Sequence, residues 1–258
     1  MEFRVLTVGD VVASSGLSYV CRNLRRVKRE YNVDFCIVNG ENAAIVGINP
    51  EQAERLFDAG ADIVTLGNHA FTQRNIVPMV EDDPYLLRPE NFSPLSPGRG
   101  WGIFDTKAGP AAVLVLTGRV AMDYTPDNPF LAAERVLKQL DTRLVFVELH
   151  AEATSEKLAM GYHLDGRISA LWGTHTHVPT ADLQILPKGT GYVTDLGMSG
   201  PMYSVLGIKP ELSIAKFRGE LTRRYEPAPG PCKMEAAVFT VDSTSGKCIG
   251  TERVFIHD

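Results

Sequence analysis

Three observations predict an α/β protein whose N-terminal part forms a largely parallel sheet. The first third of the chain repeats a short apolar run, a polar turn and a helical pattern about every 30 residues, which is typical of βα units. With 44% hydrophobic and 22% charged residues, the composition is that of a globular protein and not of a disordered one. The chain has 258 residues, and we expect residues 1–258 to form a single domain.

The N-terminal elements follow from apolar spacing and from residues that favour helix ends. A helix is predicted over 50–59, because Asn49 is a preferred N-cap and Gly60 suits the position just past a helix end. The other elements expected in this part are a helix over 17–31 and strands over 3–8, 34–38 and 63–66.

The pattern is less regular after residue 84. Residues 84–110 are rich in Pro and Gly and predict a long loop with one strand near 101–105. The remaining elements are predicted as helices over 128–140 and near 210–218 and as strands over 111–117, 144–147, 168–172, 192–194, 236–241 and 253–256.

Charge and composition exclude several classes of protein. There are 26 Lys and Arg against 31 Asp and Glu, and the resulting net charge of −5 argues against broad binding to nucleic acid. The longest clean apolar stretch, residues 111–116, is far shorter than the roughly 18 residues that cross a membrane. Four scattered cysteines without a C-x-x-C pair favour reduced thiols. We therefore expect a cytoplasmic protein with no membrane contact and no stable nucleic-acid complex.

Five of the predicted strands end in short polar clusters. A single Gly-Asp or Gly-Asn after a strand predicts only a turn. Ligand sites in open α/β sheets lie beyond the carboxyl ends of the strands, so five such clusters are expected to converge. Four of the six histidines fall in these clusters. The candidate site residues are Asp10, Glu41, Asn42, Asn68, His69, His150, His175 and His177.

The chemistry of these side chains indicates a metal site. Carboxylate, carboxamide and imidazole ligands without a thiolate suit Mn, Fe, Zn or Co. His175 and His177 would face the same side of an extended segment, where they could serve two neighbouring ions. Two ions about 3.5–4 Å apart catalyse displacement at phosphorus. A set of this size contains too many ligand side chains for one tetrahedral ion but enough for two.

The motifs around these residues cover residues 3–240. They are GDVV, NGENAA, GNHAF, ELHAEATSEK, LDGRISALWGTHTHV and TADLQILPKGTGYVTDLGMSGP. In this order they resemble the bacterial YmdB-type branch of the calcineurin-like metallophosphoesterases. The resemblance implies a four-layer α/β sandwich, in which two mixed sheets face each other and helices lie outside. It also implies a phosphoric diester hydrolase of the 2′,3′-cyclic-nucleotide 2′-phosphodiesterase type.

The resemblance also implies a role for each candidate residue. Fe or Mn would be the metals, with Zn as an alternative, and a metal-activated hydroxide would attack the phosphorus of a small phosphodiester such as a 2′,3′-cyclic nucleotide. His69 matches the family's proton donor and would protonate the departing ribose oxygen as a general acid. The implied ligands are Asp10, Glu41, Asn42 and His177 for the first metal, with Glu41 bridging, and Asn68, His150 and His175 for the second.

Several questions stay open at the level of sequence. The same metal site suits a phosphomonoesterase or nucleotidase, and also a metal-containing regulatory protein with little turnover. The oligomeric state is open, a homo-oligomer included. Relatives often have an acidic residue after the GNH motif, and here Ala70-Phe71-Thr72 supplies none. Arg88 and Asn91 are secondary candidates for a contact with the substrate phosphate, and the candidates for orienting the imidazoles are Glu148, Glu152, Asp182 and Asp195.

Overall fold

Two β-sheets face each other, and helices cover their outer surfaces. The computed structural model describes residues 1–122, 125–221 and 224–258. Within these residues the first sheet has eight strands and the second has six. This arrangement confirms the expected α/β sandwich of two mixed sheets flanked by helices.

The elements alternate between strand and helix in the first half and become strand-rich toward the C-terminus. The helices are α1 (Ala13–Glu30), α2 (Pro50–Ala59), α3 (Val77–Asp82), α4 (Pro129–Leu137), α5 (Thr154–Leu164) and α6 (Pro210–Phe217), and a 3₁₀ turn spans Arg74–Ile76. The strands are β1 (Glu2–Val8), β2 (Asp10–Val11), β3 (Phe35–Asn39), β4 (Ile63–Thr65), β5 (Leu86–Leu87), β6 (Trp101–Thr106), β7 (Gly109–Thr117), β8 (Leu144–His150), β9 (Ala170–Thr174), β10 (Gln184–Ile185), β11 (Gly191–Val193), β12 (Met198–Pro201), β13 (Cys232–Asp242) and β14 (Cys248–His257).

Both sheets combine parallel and antiparallel pairs. The first sheet has the order β2-β12-β13-β1-β3-β4-β5, and β14 also pairs with β13. Its strands β1, β3, β4 and β5 run parallel as predicted, whereas β13 pairs antiparallel with β1. The second sheet has the order β10-β11-β9-β8-β7-β6, with β7, β8, β9 and β11 parallel. The parallel strands of both sheets therefore present their carboxyl ends for a shared site.

Three apolar layers hold the four structural layers together. The central layer lies between the sheets and includes Phe3, Phe146 and Trp172, all buried. One outer layer packs α1 and α2 on the first sheet, and the other packs α4 and α5 on the second. Within the described residues, no helix combines the length and the apolar character needed to cross a membrane.

Helix α2 matches its prediction at both ends. The Asn49 side chain accepts a hydrogen bond from the Gln52 backbone, and Gln52 returns one to Asn49, which completes a capping box. Gly60 ends the helix in the left-handed region with φ of 110°, a conformation that glycine adopts without a Cβ penalty.

Other elements differ from their predictions. Helix α1 begins at Ala13 instead of residue 17, and α4 ends at Leu137 instead of residue 140. Leu131, an apolar residue of α4, is 67% exposed. The loop over 84–110 also contains the short strand β5, and α5 was not predicted at all.

Candidate active site

A cavity of about 420 Å³ opens where the parallel strands of both sheets end. Its lining residues come from the segments that follow β3, β4, β8 and β9 and from the loop before α6. They are Asn42, His69, His150, Glu152, His175, Thr176, His177, Val178 and Leu206. The convergence expected from the sequence therefore occurs in the structure.

Each predicted site residue lies at or just after a strand end. Asp10 lies in β2, and His150 is the last residue of β8. Glu41 and Asn42 follow β3, Asn68 and His69 follow β4, and His175 and His177 follow β9. Nitrogen and oxygen atoms of neighbouring site side chains lie 3.0–3.9 Å apart.

The sequence predicted an extended segment at His175 and His177, and the structure shows that this prediction is wrong. Their φ angles are 96° and 63°, both in the left-handed region that non-glycine residues rarely adopt. The two imidazoles still reach the same cavity, because the chain bends sharply after β9. Such strain persists only where surrounding contacts hold it, and it clusters at functional sites.

One group of three acceptor atoms meets around Asp10. His177 Nδ1 donates to the Leu206 carbonyl at 3.3 Å, which leaves His177 Nε2 without a proton. That nitrogen lies 3.3 Å from Asn42 Oδ1, whose amide group faces away because its Nδ2 donates to Ile45. It also lies 3.8 Å from Asp10 Oδ1.

These three atoms are all acceptors when Asp10 is ionised. Burial lowers the pKa of His177, so the imidazole is held neutral. Among the described residues, Asp10 Oδ1 is buried and has no hydrogen-bond partner. Three lone pairs that face one another repel each other, and a cation relieves the repulsion. This group therefore has the donor chemistry of a cation site.

A second group lies beside the first. His150 Nδ1 donates to Thr174 Oγ1 at 2.9 Å, so His150 Nε2 is the unprotonated nitrogen. His150 Nε2 lies 3.0 Å from Asn68 Oδ1 and 3.2 Å from His175 Nδ1. Burial holds the pKa of His150 well below its usual value, so this imidazole also stays neutral. Glu41 Oε1 is 3.9 Å from the same nitrogen.

Two buried acidic side chains, Asp10 and Glu41, lie beside the two groups. Burial raises the pKa of Asp10 to about 7 and that of Glu41 to about 8, and neighbouring carboxylates add to both shifts. The Glu41 oxygens accept hydrogen bonds from the backbone amides of Gly67 and His69. A bound cation would favour the ionised form of both acids.

His69 contacts the side-chain amide of Asn68. Its Nε2 lies 3.3 Å from Asn68 Nδ2, and the ring is half-buried at the edge of the cavity. Asn68 therefore presents its oxygen to His150 and its nitrogen to His69.

The four acidic residues expected to orient the imidazoles act in different ways. Glu152 contacts an imidazole directly, with Oε2 3.3 Å from His175 Nε2. Asp195 instead accepts from the Thr176 backbone amide, and it forms a buried ion pair with Lys157 at 2.6 Å. Asp182 bonds Thr180 and Thr194 and was wrongly expected at the imidazoles.

Glu148 reaches His150 through a residue that the sequence did not single out. Its Oε1 accepts from the Thr174 hydroxyl at 2.8 Å, and that hydroxyl contacts His150. Burial raises the pKa of Glu148 to about 7, although hydrogen bonds from Thr65, Asn39 and Thr174 oppose the rise. No sequence signal marks Thr174, because a threonine at the end of a strand is commonplace.

Arg88 and Asn91, the secondary candidates for a substrate contact, bond the protein backbone instead. The Arg88 guanidinium is buried and donates to the carbonyls of Pro89, Ser96 and Gly98. Asn91 is fully buried and holds the backbone of Thr117. Arg88 supplies donors to carbonyls of the loop before β6, and Asn91 ties that loop to the end of β7.

The donor set suits a pair of metal ions, although the imidazoles and amides contact one another directly. No group of three or more His, Cys, Asp and Glu side chains in the described ranges forms a metal-binding arrangement by itself. Each of the two groups includes one asparagine oxygen, from Asn42 or Asn68. Mixed nitrogen and oxygen donors of this kind are ligands for Mn, Fe or Zn.

The sandwich of two mixed sheets, with imidazole, carboxylate and amide donors at the shared strand ends, defines a metallophosphoesterase-type protein. The sequence profile of the YmdB-like protein family matches residues 6–254, and the chain belongs to that family. The resemblance seen in the motifs is thereby confirmed.

Curated and solved relatives extend over nearly the whole chain. The 2′,3′-cyclic-nucleotide 2′-phosphodiesterase of Bacillus subtilis is 41% identical over 99% of this chain and 97% of its own. A crystal structure from Mycoplasma pneumoniae, described as a novel phosphatase, has a TM-score of 0.94 at 33% identity and covers 100% of this chain and 94% of that one. A hypothetical protein from Thermus thermophilus has a TM-score of 0.92 at 38% identity and covers 99% of this chain and 100% of that one. The expectation of an enzyme of this class is confirmed.

Proposed function

We propose that the chain is a dinuclear metal-dependent phosphodiesterase that acts on small phosphodiesters such as 2′,3′-cyclic nucleotides. The observation that carries the proposal is the meeting of His177 Nε2, Asn42 Oδ1 and the buried, unpartnered Asp10 Oδ1 at one side of the cavity. The 41% identity to the Bacillus subtilis 2′,3′-cyclic-nucleotide 2′-phosphodiesterase supports the choice of substrate.

Two sets of residues would hold the ions. Asp10, Asn42 and His177 form the first set, and Asn68, His150 and His175 form the second. Glu41 would join them, because it is buried between the strand ends and its Oε1 lies near His150. The oxygen-rich first set favours Fe or Mn, with Zn as an alternative.

The chain's own residues position and protonate the substrate. When bound, the metal pair supplies positive charge for the phosphate oxygens and lowers the pKa of water. His69 lies at the edge of the same cavity, where it donates a proton to the ribose O2′ as the P–O2′ bond breaks. The product is then a nucleoside 3′-phosphate. Val178 and Leu206 provide an apolar wall beside the imidazoles, which suits the base or ribose.

The test is a substrate panel on protein reconstituted with Mn²⁺ or Fe²⁺. We expect about two ions per chain, cleavage of 2′,3′-cyclic AMP to the 3′-phosphate, and faster turnover of bis(4-nitrophenyl) phosphate than of 4-nitrophenyl phosphate. Asp10→Asn should lose metal and activity together. Preference for the monoester would replace the proposal with a phosphomonoesterase, and full metal occupancy without turnover of any ester would favour a regulatory protein.

A further inference from the structure

We infer that Glu148 is a positioning residue that fixes the tautomer of His150 through the hydroxyl of Thr174. The inference rests on the proposed metal site, because the selected tautomer points an unprotonated nitrogen into it. Glu148 and Thr174 are not among the residues that line the cavity. Their effect is to decide which nitrogen of His150 carries the proton.

The Glu148 carboxylate is fully buried and accepts three hydrogen bonds. Its Oε1 accepts from Asn39 Nδ2 at 2.5 Å and from the Thr174 hydroxyl at 2.8 Å, and its Oε2 accepts from the Thr65 hydroxyl at 2.6 Å. Asn39 and Thr65 belong to the first sheet, whereas Glu148 and Thr174 belong to the second. One carboxylate thus joins strand ends of both sheets directly beneath the site.

The directions of these hydrogen bonds are set by chemistry. The Asn39 amide is fixed, because its Oδ1 accepts from the Glu41 backbone amide, and its nitrogen must therefore face Glu148. Glu148 Oε1 accepts from this fixed amide and also from the Thr174 hydroxyl, so the Thr174 hydroxyl proton points toward Glu148. Thr174 Oγ1 can then only accept from His150, which places the imidazole proton on Nδ1.

The alternative tautomer would disable the second donor group. Without an acceptor at Glu148, the Thr174 hydroxyl is free to turn its proton toward His150 Nδ1. The imidazole proton then moves to Nε2, which lies 3.0 Å from Asn68 Oδ1 and would donate to it. A hydrogen bond between His150 Nε2 and Asn68 Oδ1 would then occupy the two lone pairs that a cation needs as ligands. Partners of metal-binding histidines commonly act in this way, and losing one costs about 10–100-fold in metal affinity.

Thr174→Val and Glu148→Met test the inference, with Thr174→Ser as the conservative rescue. The matched control is Thr65→Val, which also removes a hydrogen bond from Glu148 but makes no contact with His150. The first measurement is the imidazole ¹⁵N spectrum of metal-free protein. We expect the Nδ1–H tautomer of His150 in the parent, Thr174→Ser and Thr65→Val, and the Nε2–H tautomer in Thr174→Val and Glu148→Met.

The second measurement is Mn²⁺ affinity by titration. Thr174→Val should bind about 10–100-fold more weakly, whereas Thr174→Ser and Thr65→Val should stay near the parent. If Glu148→Met does not fold, the Thr174 variants still decide the question. Retention of the Nδ1–H tautomer in Thr174→Val would overturn the inference. A tautomer change in a protein without phosphodiesterase activity would leave it standing and count against the proposed function alone.

Discussion

His69 illustrates how a neighbouring side chain sets the role of a single residue. The Asn68 amide contacts its Nε2, and the backbone amide of His69 binds Glu41. The ring therefore touches the proposed metal site without being one of its ligands. Its contribution should be separable from metal binding.

We expect His69→Ala to retain both metal ions and to slow cleavage of 2′,3′-cyclic AMP by about 10²–10⁴-fold, the usual contribution of a general acid. Bis(4-nitrophenyl) phosphate should be affected less, because nitrophenolate leaves without a proton. Steady-state rates and metal analysis check both points, with the exposed His257→Ala as the control. Equal rates for His69→Ala and the parent on the cyclic nucleotide would contradict the assignment.

Residue types at strand ends could be predicted, but their surroundings could not. The sequence placed seven ligand candidates and His69 in one site because parallel strands share an edge. Thr174 and Asn39 escaped notice because their importance depends on Glu148, which lies in a different part of the sequence. The role of Arg88 could not be predicted, because only the folded loop shows which carbonyls need its donors.

The helices also separate into those that local sequence predicts and those that depend on distant residues. Helix α2 was predicted at both ends because its capping residues act locally. Helix α5 was missed, since its buried face consists of Lys157, Met160, Gly161 and Leu164 and so lacks a simple apolar stripe. The amine of Lys157 is buried against Asp195, a partner 38 residues away. Local pattern cannot reveal such a pairing.

The capping box of α2 should contribute measurably to stability. Asn49→Ala removes the acceptor for the Gln52 backbone amide and is expected to lower the free energy of unfolding by about 1 kcal/mol. Asn49→Asp keeps an acceptor and should change it little. Urea denaturation measures both variants, and an Asn49→Ala protein as stable as Asn49→Asp would show that the box contributes nothing.

The ion pair between Lys157 of α5 and Asp195 should contribute more to stability than the capping box of α2 does. Lys157→Met leaves Asp195 buried without its cation, and we expect a loss of about 3–5 kcal/mol in unfolding free energy. The exposed Lys138→Met provides the comparison and should change stability by less than about 0.5 kcal/mol. A similar small effect in both variants, measured by urea denaturation, would refute the expected role of the pair.

At the scale of the whole molecule, the proposed metal pair would link the two sheets at one end. The first donor group includes Asp10 from the first sheet and His177 after a strand of the second, and the second group joins Asn68 to His150 in the same way. Ions bound there would hold both sheets, so metal binding should stabilise the entire fold.

We expect Mn²⁺ at 100 times its dissociation constant to stabilise the metal-free protein by about 2.7 kcal/mol per site. For a chain of this size, each kcal/mol raises the Tm by about 2–4 °C. Thermal unfolding with and without Mn²⁺ measures the shift, and Asp10→Asn should reduce it. An unchanged Tm at saturating Mn²⁺ would contradict a metal site shared by the two sheets.

The left-handed backbone at His175 and His177 lowers the stability of the fold but places two imidazoles in the site. Alanine at either position would remove the imidazole but still carry the energetic cost of a positive φ. Glycine would remove the imidazole and also that cost. We therefore expect His177→Gly to be more stable than His177→Ala by roughly 1 kcal/mol in urea denaturation, with neither variant active. Alanine substitution at these positions consequently measures two effects at once. A chain selected only for stability would discard both histidines.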